Sequence, residues 1–87
     1  MLEELLNQKI VVDMRTPYVC LGTLTRCDVD FLELKNADLH DLRDGETTRE
    51  VYVAESKATG VKRNRKRVLV SRDDILAVSR LDDVTDD

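Results

Sequence analysis

The sequence predicts a small, mainly β domain: five short, strongly bent strands forming a barrel, a helix at the N-terminus, and a helical insertion between strands 3 and 4. Three observations lead there. Apolar and polar residues alternate in short runs at both ends of the chain. The longest run, "YVCLGTLTRC", carries Gly22 in its interior, where glycine marks a bend or a close backbone approach. A segment of different rhythm, about 38–63, separates the third run from the last two.

The elements follow in order. "LEELLNQ" places Leu2, Leu5 and Leu6 at helical spacing, which predicts a short amphipathic helix. "KIVVDMR" alternates Ile10, Val12 and Met14 against Val11 and Asp13 and reads as a strand. "TPY" turns it, since Pro17 has its φ already fixed for a turn. Tyr18 to Cys27 is the second strand and Phe31 to Ala37 the third. In the insertion, "DLRDG" is a loop, and Thr47 with Glu50 forms a capping-box pattern. Val51, Ala54, Glu55 and Ala58 then recur at helical spacing up to Gly60, a natural stop, which predicts a helix from Thr48 to Thr59. Alternation through "EVYVA" is the competing reading, as a strand. "KRVLVS" and "ILAVSRL", separated by "RDD", close the domain, so that 1–81 is the folded unit and 82–87 an acidic tail.

With 87 residues, this is one domain. A chain so short buries only about 60–65% of its unfolded surface, so assembly is an expected source of further burial. The last two strands carry few charges in their middles, and uncovered strand edges must be blunted or paired. Pairing of these strands between copies of the chain is therefore expected. No apolar run approaches the roughly 18–20 residues a bilayer span needs. The N-terminus lacks a signal-peptide pattern, which predicts a cytoplasmic protein with no membrane contact. Cys20 and Cys27 are seven apart on one strand. That odd spacing puts them on opposite faces unless a bulge intervenes, so two reduced thiols are expected.

Several of these residues lie in a familiar arrangement. Gly22, Leu24, Asp28, Leu32, Leu34, Asn36 and Ala37 follow one pattern, and Val70-Ser71-Arg72-Asp73-Asp74-Ile75 with "LAVSR" follow another. Together they resemble the two motifs of the Sm-like (LSm/Hfq) family, across most of the chain. The resemblance implies an Sm-like barrel, rings of about five to seven subunits joined through strands 4 and 5, and RNA as ligand. In RNA-binding members an aromatic or histidine after the tip aspartate stacks on a base, an asparagine reads its edge, and an arginine of the second motif braces it. Here Asp30 stands at the stacking position and no asparagine precedes Leu32. Phe31 lies beside it, Ser71 holds the arginine position, and Arg72 the glycine position. These departures point away from a uridine-reading pore; Phe31 reads as a core residue and Asp30 as a turn residue.

Net charge is −4, which argues against a general nucleic-acid binder, but the charge is uneven. "KRNRKR" gathers five of the fourteen basic residues: Lys62, Arg63, Arg65, Lys66 and Arg67. Such a cluster suits phosphate contacts with little sequence selectivity. Arg72 and Phe31 join it as candidate RNA contacts near the pore. Asp82, Asp83, Asp86 and Asp87 complement the cluster in charge and are candidates to fold back on it. Catalysis has little support. His40 is the one histidine and sits in a predicted loop, Asp73 and Asp74 suit a tight turn, and no phosphate loop, nucleophile or metal-ligand spacing is present. The expectation is a non-enzyme without cofactor or metal, binding single-stranded RNA as a homo-oligomeric ring. A protein-docking scaffold, using the two predicted helices, is the second hypothesis.

Overall fold

Alternation along the chain becomes five antiparallel strands in the computed structural model, which describes residues 1–45 and 47–85. They are β1 (Lys9–Met14), β2 (Tyr18–Cys27), β3 (Phe31–Asp41), β4 (Arg65–Ser71) and β5 (Ile75–Arg80). A helix, α1 (Arg49–Thr59), lies between β3 and β4. The strand order is β4-β3-β2-β1-β5, so the last two strands form the two edges of one sheet.

The sheet bends around an inner core of Ile10, Val12, Cys20, Leu24, Leu32, Leu34, Ala37 and Val70. Burying each of the larger side chains contributes roughly 1.5–3 kcal/mol. The opposite parity of β1 and β2 builds a second layer on the outside. There Val11, Val19 and Leu21 are covered by Val53 of α1 and by Leu81.

Curvature comes from two irregularities in the β2–β3 ladder. Leu21 pairs with Asp38 but Thr23 with Lys35, so β3 carries an extra residue there. That residue is Asn36, in the left-handed region at φ 49°, which asparagine tolerates better than most side chains. Gly22 lies opposite, and a Cβ on it would come 3.1 Å from the Ala37 Cβ and 3.2 Å from the Leu34 Cβ. The glycine is needed for this close approach. Further along, Leu24 pairs with Leu34 but Arg26 with Glu33, so β2 carries the extra residue at Thr25. This second shift changes the parity of β2. Cys27 thereby packs against the same inner core as Cys20, although odd spacing alone would separate them. Both thiols are free, and burial pushes that of Cys20 up to about 12.

Three expectations change. The N-terminal helix is a single 3-10 turn, Leu2–Leu5, ended by Asn7 at φ 65°. So short a segment cannot offset the cost of nucleating an α-helix. Leu2, Leu5 and Leu6 still pack on the inner core, and Asn7 N–H bonds to the Leu24 carbonyl at 2.7 Å. Next, β3 runs past Ala37 to Asp41, so 38–41 are strand rather than insertion. Last, the helix cap is Thr48, whose hydroxyl accepts from Val51 N–H, not Thr47. Its buried face is Val53 and Ser56 with Tyr52 beside them, while Val51 is 48% exposed. Gly60, at φ 100°, ends the helix as expected. No helix among the described residues is long and apolar enough to cross a membrane.

Candidate nucleic-acid interface

The turn between β2 and β3 is shaped by Asp28. Its Oδ1 accepts from the N–H groups of Asp30 and Phe31, both at 2.8 Å, and its own N–H donates to the Phe31 carbonyl at 3.0 Å. The Phe31 and Asp30 N–H groups hold the Asp28 carboxyl below its usual pKa range. Arg72, in the 3-10 turn Arg72–Asp74 between β4 and β5, donates its N–H to the Asp30 carbonyl at 2.9 Å. The two turns that the sequence motifs mark therefore meet. Phe31 is 42% exposed, so it is no core residue; it walls a shallow depression of about 70 Å³ with Arg26, Glu33 and Leu69. Arg72 is half-buried with its Nε unpaired among the described residues.

The basic cluster lies at the other end. Ser71 pairs with Phe31 whereas Arg65 pairs with Ala37, so the two ends of the seven-residue β4 are about 20 Å apart. Phe31 and Arg72 thus form one group, and Lys62, Arg63, Arg65 and Lys66 another. Arg67, between them, is engaged with Glu33 through Nη2 at 2.6 Å and Nε at 2.8 Å. Glu33 also accepts from the Thr25 hydroxyl at 2.8 Å and from Arg26 at 3.3 Å. The Thr25 hydroxyl first, and then Arg67, hold its carboxyl below the usual range. Arg63 donates to Asn36 Oδ1 at 2.8 Å and Arg65 to the Asn64 carbonyl at 3.1 Å. Lys62, Arg63, Arg65 and Lys66 have no carboxylate partner among the described residues.

Asn64, the one neutral residue of "KRNRKR", organises this end. Its N–H donates to the Ala37 carbonyl, its Oδ1 accepts from Leu39 N–H at 3.0 Å, and its Nδ2 donates to the Leu39 carbonyl and Asp38. Asp38, buried, also accepts from the Tyr52 hydroxyl. Burial, and next the bond to Asp38, push the Tyr52 phenol pKa well above its ordinary value. The Tyr52 ring stacks on His40 with centroids 4.1 Å apart and planes 8° from parallel. His40 is therefore a strand residue that seats α1, not a loop residue. The chain after β5 joins the same outer layer, where Leu81 is buried and Lys57 donates to the Val84 carbonyl. Asp82 and Asp83 are exposed and make no ion pair with the cluster among the described residues; Asp86 and Asp87 lie outside them.

Neither the family models nor the curated proteins match this chain. Solved structures do. An Sm protein of Pyrococcus abyssii, in complex with a uridine heptamer, superposes with a TM-score of 0.63 over 90% of this chain and 89% of that one, at 19% identity. The fold is Sm-like. Within this Sm-like frame both edge strands are open among the described residues: β4 bonds only to β3 and β5 only to β1. Each edge exposes a large apolar side chain, Leu69 at 48% on β4 and Leu76 at 66% on β5.

Proposed function

We propose that the protein is an RNA-binding Sm-like ring protein, non-catalytic, of the riboregulation or RNA-processing type. Copies join by pairing β4 of one with β5 of the next, which buries Leu69 and Leu76. Single-stranded RNA is held mainly through Lys62, Arg63, Arg65 and Lys66, with Arg67 contributing least because Glu33 occupies its guanidinium. Phe31 and Arg72 serve near the pore, Phe31 as a stacking face that accepts any base. The observation that carries this reading is the group of four cations at the Arg65 end of β4, without carboxylate partners among the described residues, on an Sm-like frame. The similar Pyrococcus protein, which is an Sm protein seen with a uridine heptamer, supports it. Asp28 and Asp30 at the exposed tip disfavour phosphate there, so the binding is directed to the RNA backbone and tolerant of sequence.

Fluorescence anisotropy with oligo-U and oligo-A across a salt series tests this, alongside light scattering for the assembly. Both oligomers are expected to bind with similar affinity. Engagement of about three phosphates per subunit gives a log–log salt slope near −2 per subunit. Replacing Lys62, Arg63, Arg65, Lys66 and Arg67 by Ser abolishes most of the binding. Absence of binding at low salt, or indifference to those replacements, overturns the RNA reading. A monodisperse ring without RNA affinity would instead favour a protein-docking scaffold, which the acidic tip already suits better than a uridine pore.

A further inference from the structure

Where α1 returns to the sheet, the chain leaves a cleft of about 310 Å³, bounded by Lys9, Gly22, Thr23, Asn36, Val61 and Arg63. This is the low end of the size range of small-ligand sites. The cleft is separate from the turns that bear Phe31 and Arg72, and it owes its shape to the Asn36 bulge. The extra residue sets the Asn36 side chain, exposed, beside the cleft, with Gly22 opposite in β2. Arg63 donates to Asn36 Oδ1 at 2.8 Å, which fixes one arm of the guanidinium and leaves its other N–H groups to a ligand. Because Oδ1 is so used, the Asn36 amide nitrogen remains as a donor. Lys9 pairs across the ladder with Thr23, so both side chains leave the same face of the sheet, and both border the cleft. Neither Lys9 nor Arg63 has a carboxylate partner among the described residues. Two cations, one pre-oriented, with a hydroxyl and an amide donor, make a phosphate-binding set. Val61 adds an apolar wall of the kind a sugar or base can rest on.

We infer that this cleft binds a nucleotide, with Lys9, Arg63, Thr23 and Asn36 on the phosphate and Val61 against the nucleoside. The nucleotide is either one unit of a single strand, in which case the site rests on the RNA reading above, or a free mononucleotide. Lys9 lies far in sequence from "KRNRKR" and belongs to no motif; the β1–β2 ladder sets it beside Thr23, and the β2–β3 ladder sets Thr23 beside the strand whose Asn36 holds Arg63.

The test is amide chemical-shift perturbation of the full chain titrated with UMP, uridine and a ten-nucleotide oligo-U, repeated on two variants. Lys9→Ser/Arg63→Ser removes both cations from exposed positions. Asn36→Asp keeps the side-chain volume and the left-handed backbone while placing a carboxylate in the cleft. UMP, and not uridine, is expected to shift the amides of Thr23, Asn36 and Arg63, and each variant to weaken binding by about tenfold or more. Oligo-U binding that is tighter than UMP and falls in parallel identifies the strand as the source. If UMP binds there and oligo-U does not, the free nucleotide is the ligand and the RNA reading fails alone. If oligo-U binds while the cleft amides stay unmoved and both variants bind as before, the nucleotide site is overturned and the RNA reading survives. Silence with both ligands overturns both.

Discussion

At the Ser71 end of β4 the chain is held by neighbours in sequence: Asp28 binds the N–H groups of Asp30 and Phe31, and one main-chain bond from Arg72 ties the two turns together. At the Arg65 end the hold is made by residues far apart in sequence. Asn64 clamps Leu39 and Asp38, Tyr52 reaches Asp38, and its ring lies on His40. The first end joins strands by short turns, so local turn chemistry suffices. The second is where the chain departs into the insertion and returns. There the buried Asp38 of β3 needs partners from elsewhere, because leaving it unpaired is expensive. The cations proposed to hold RNA project from this second, clamped end.

The largest effect should come from Asn64→Ala. It strips partners from the Leu39 N–H, the Leu39 carbonyl and Asp38 together, and about 2–3 kcal/mol of stability should be lost in urea denaturation. A cost below about 0.5 kcal/mol, the ordinary scale of a surface change, would break the contrast between the ends. Tyr52→Phe keeps the ring on His40 and removes only the hydroxyl, so about 1 kcal/mol is expected, with faster amide exchange along α1. If exchange speeds equally at the turn near Asp28, the two ends are not independent. The smallest effect belongs to Asp28→Ala and depends on pH. The Asp28 carboxyl has a folded pKa below its unfolded value of 3.8. Its contribution is therefore fully present above that value and is lost as pH falls through the lower folded one. Melting temperatures of the variant and the parent should differ near neutral pH and converge in strong acid. Failure to converge would mean that Asp28 acts through packing rather than charge.

What the chain reveals before folding divides along the same line. β1 and β2 were readable because short aliphatic runs, buried on both faces of the sheet, are separated by the turn at Pro17, and Gly22 declared its close approach. The tip was readable because its chemistry is local. The end of β3 was hidden by the Asn36 bulge: Leu32 and Leu34 face inward, then Ala37 and Leu39, so the alternation slips and "DLHD" looks like a loop. The face of α1 was hidden because the stripe it buries contains Ser56 rather than a run of aliphatic residues. Asn64 looked like a gap in a basic run, although its amide is the centre of the clamp. The nucleotide cleft draws on residues from β1, β2, β3 and the return from α1, and no spacing rule joins them.

The paired irregularities in the β2–β3 hairpin also bear on how this chain can change length. Residue numbers of partners sum to 59 near the base (Leu21 with Asp38), to 58 between the bulges (Thr23 with Lys35), and to 59 again toward the tip (Cys27 with Leu32). Each arm thus carries one surplus residue, and the tip stands where an uninterrupted ladder would put it. Deleting Asn36 alone, or the surplus at Thr25 alone, would leave arms of unequal length and pull Asp30 away from Arg72. Descendants of this sequence should therefore gain or lose residues here in matched pairs, one per arm. The connection between Asp41 and Arg49 is not an arm of this hairpin and is free of that matching rule.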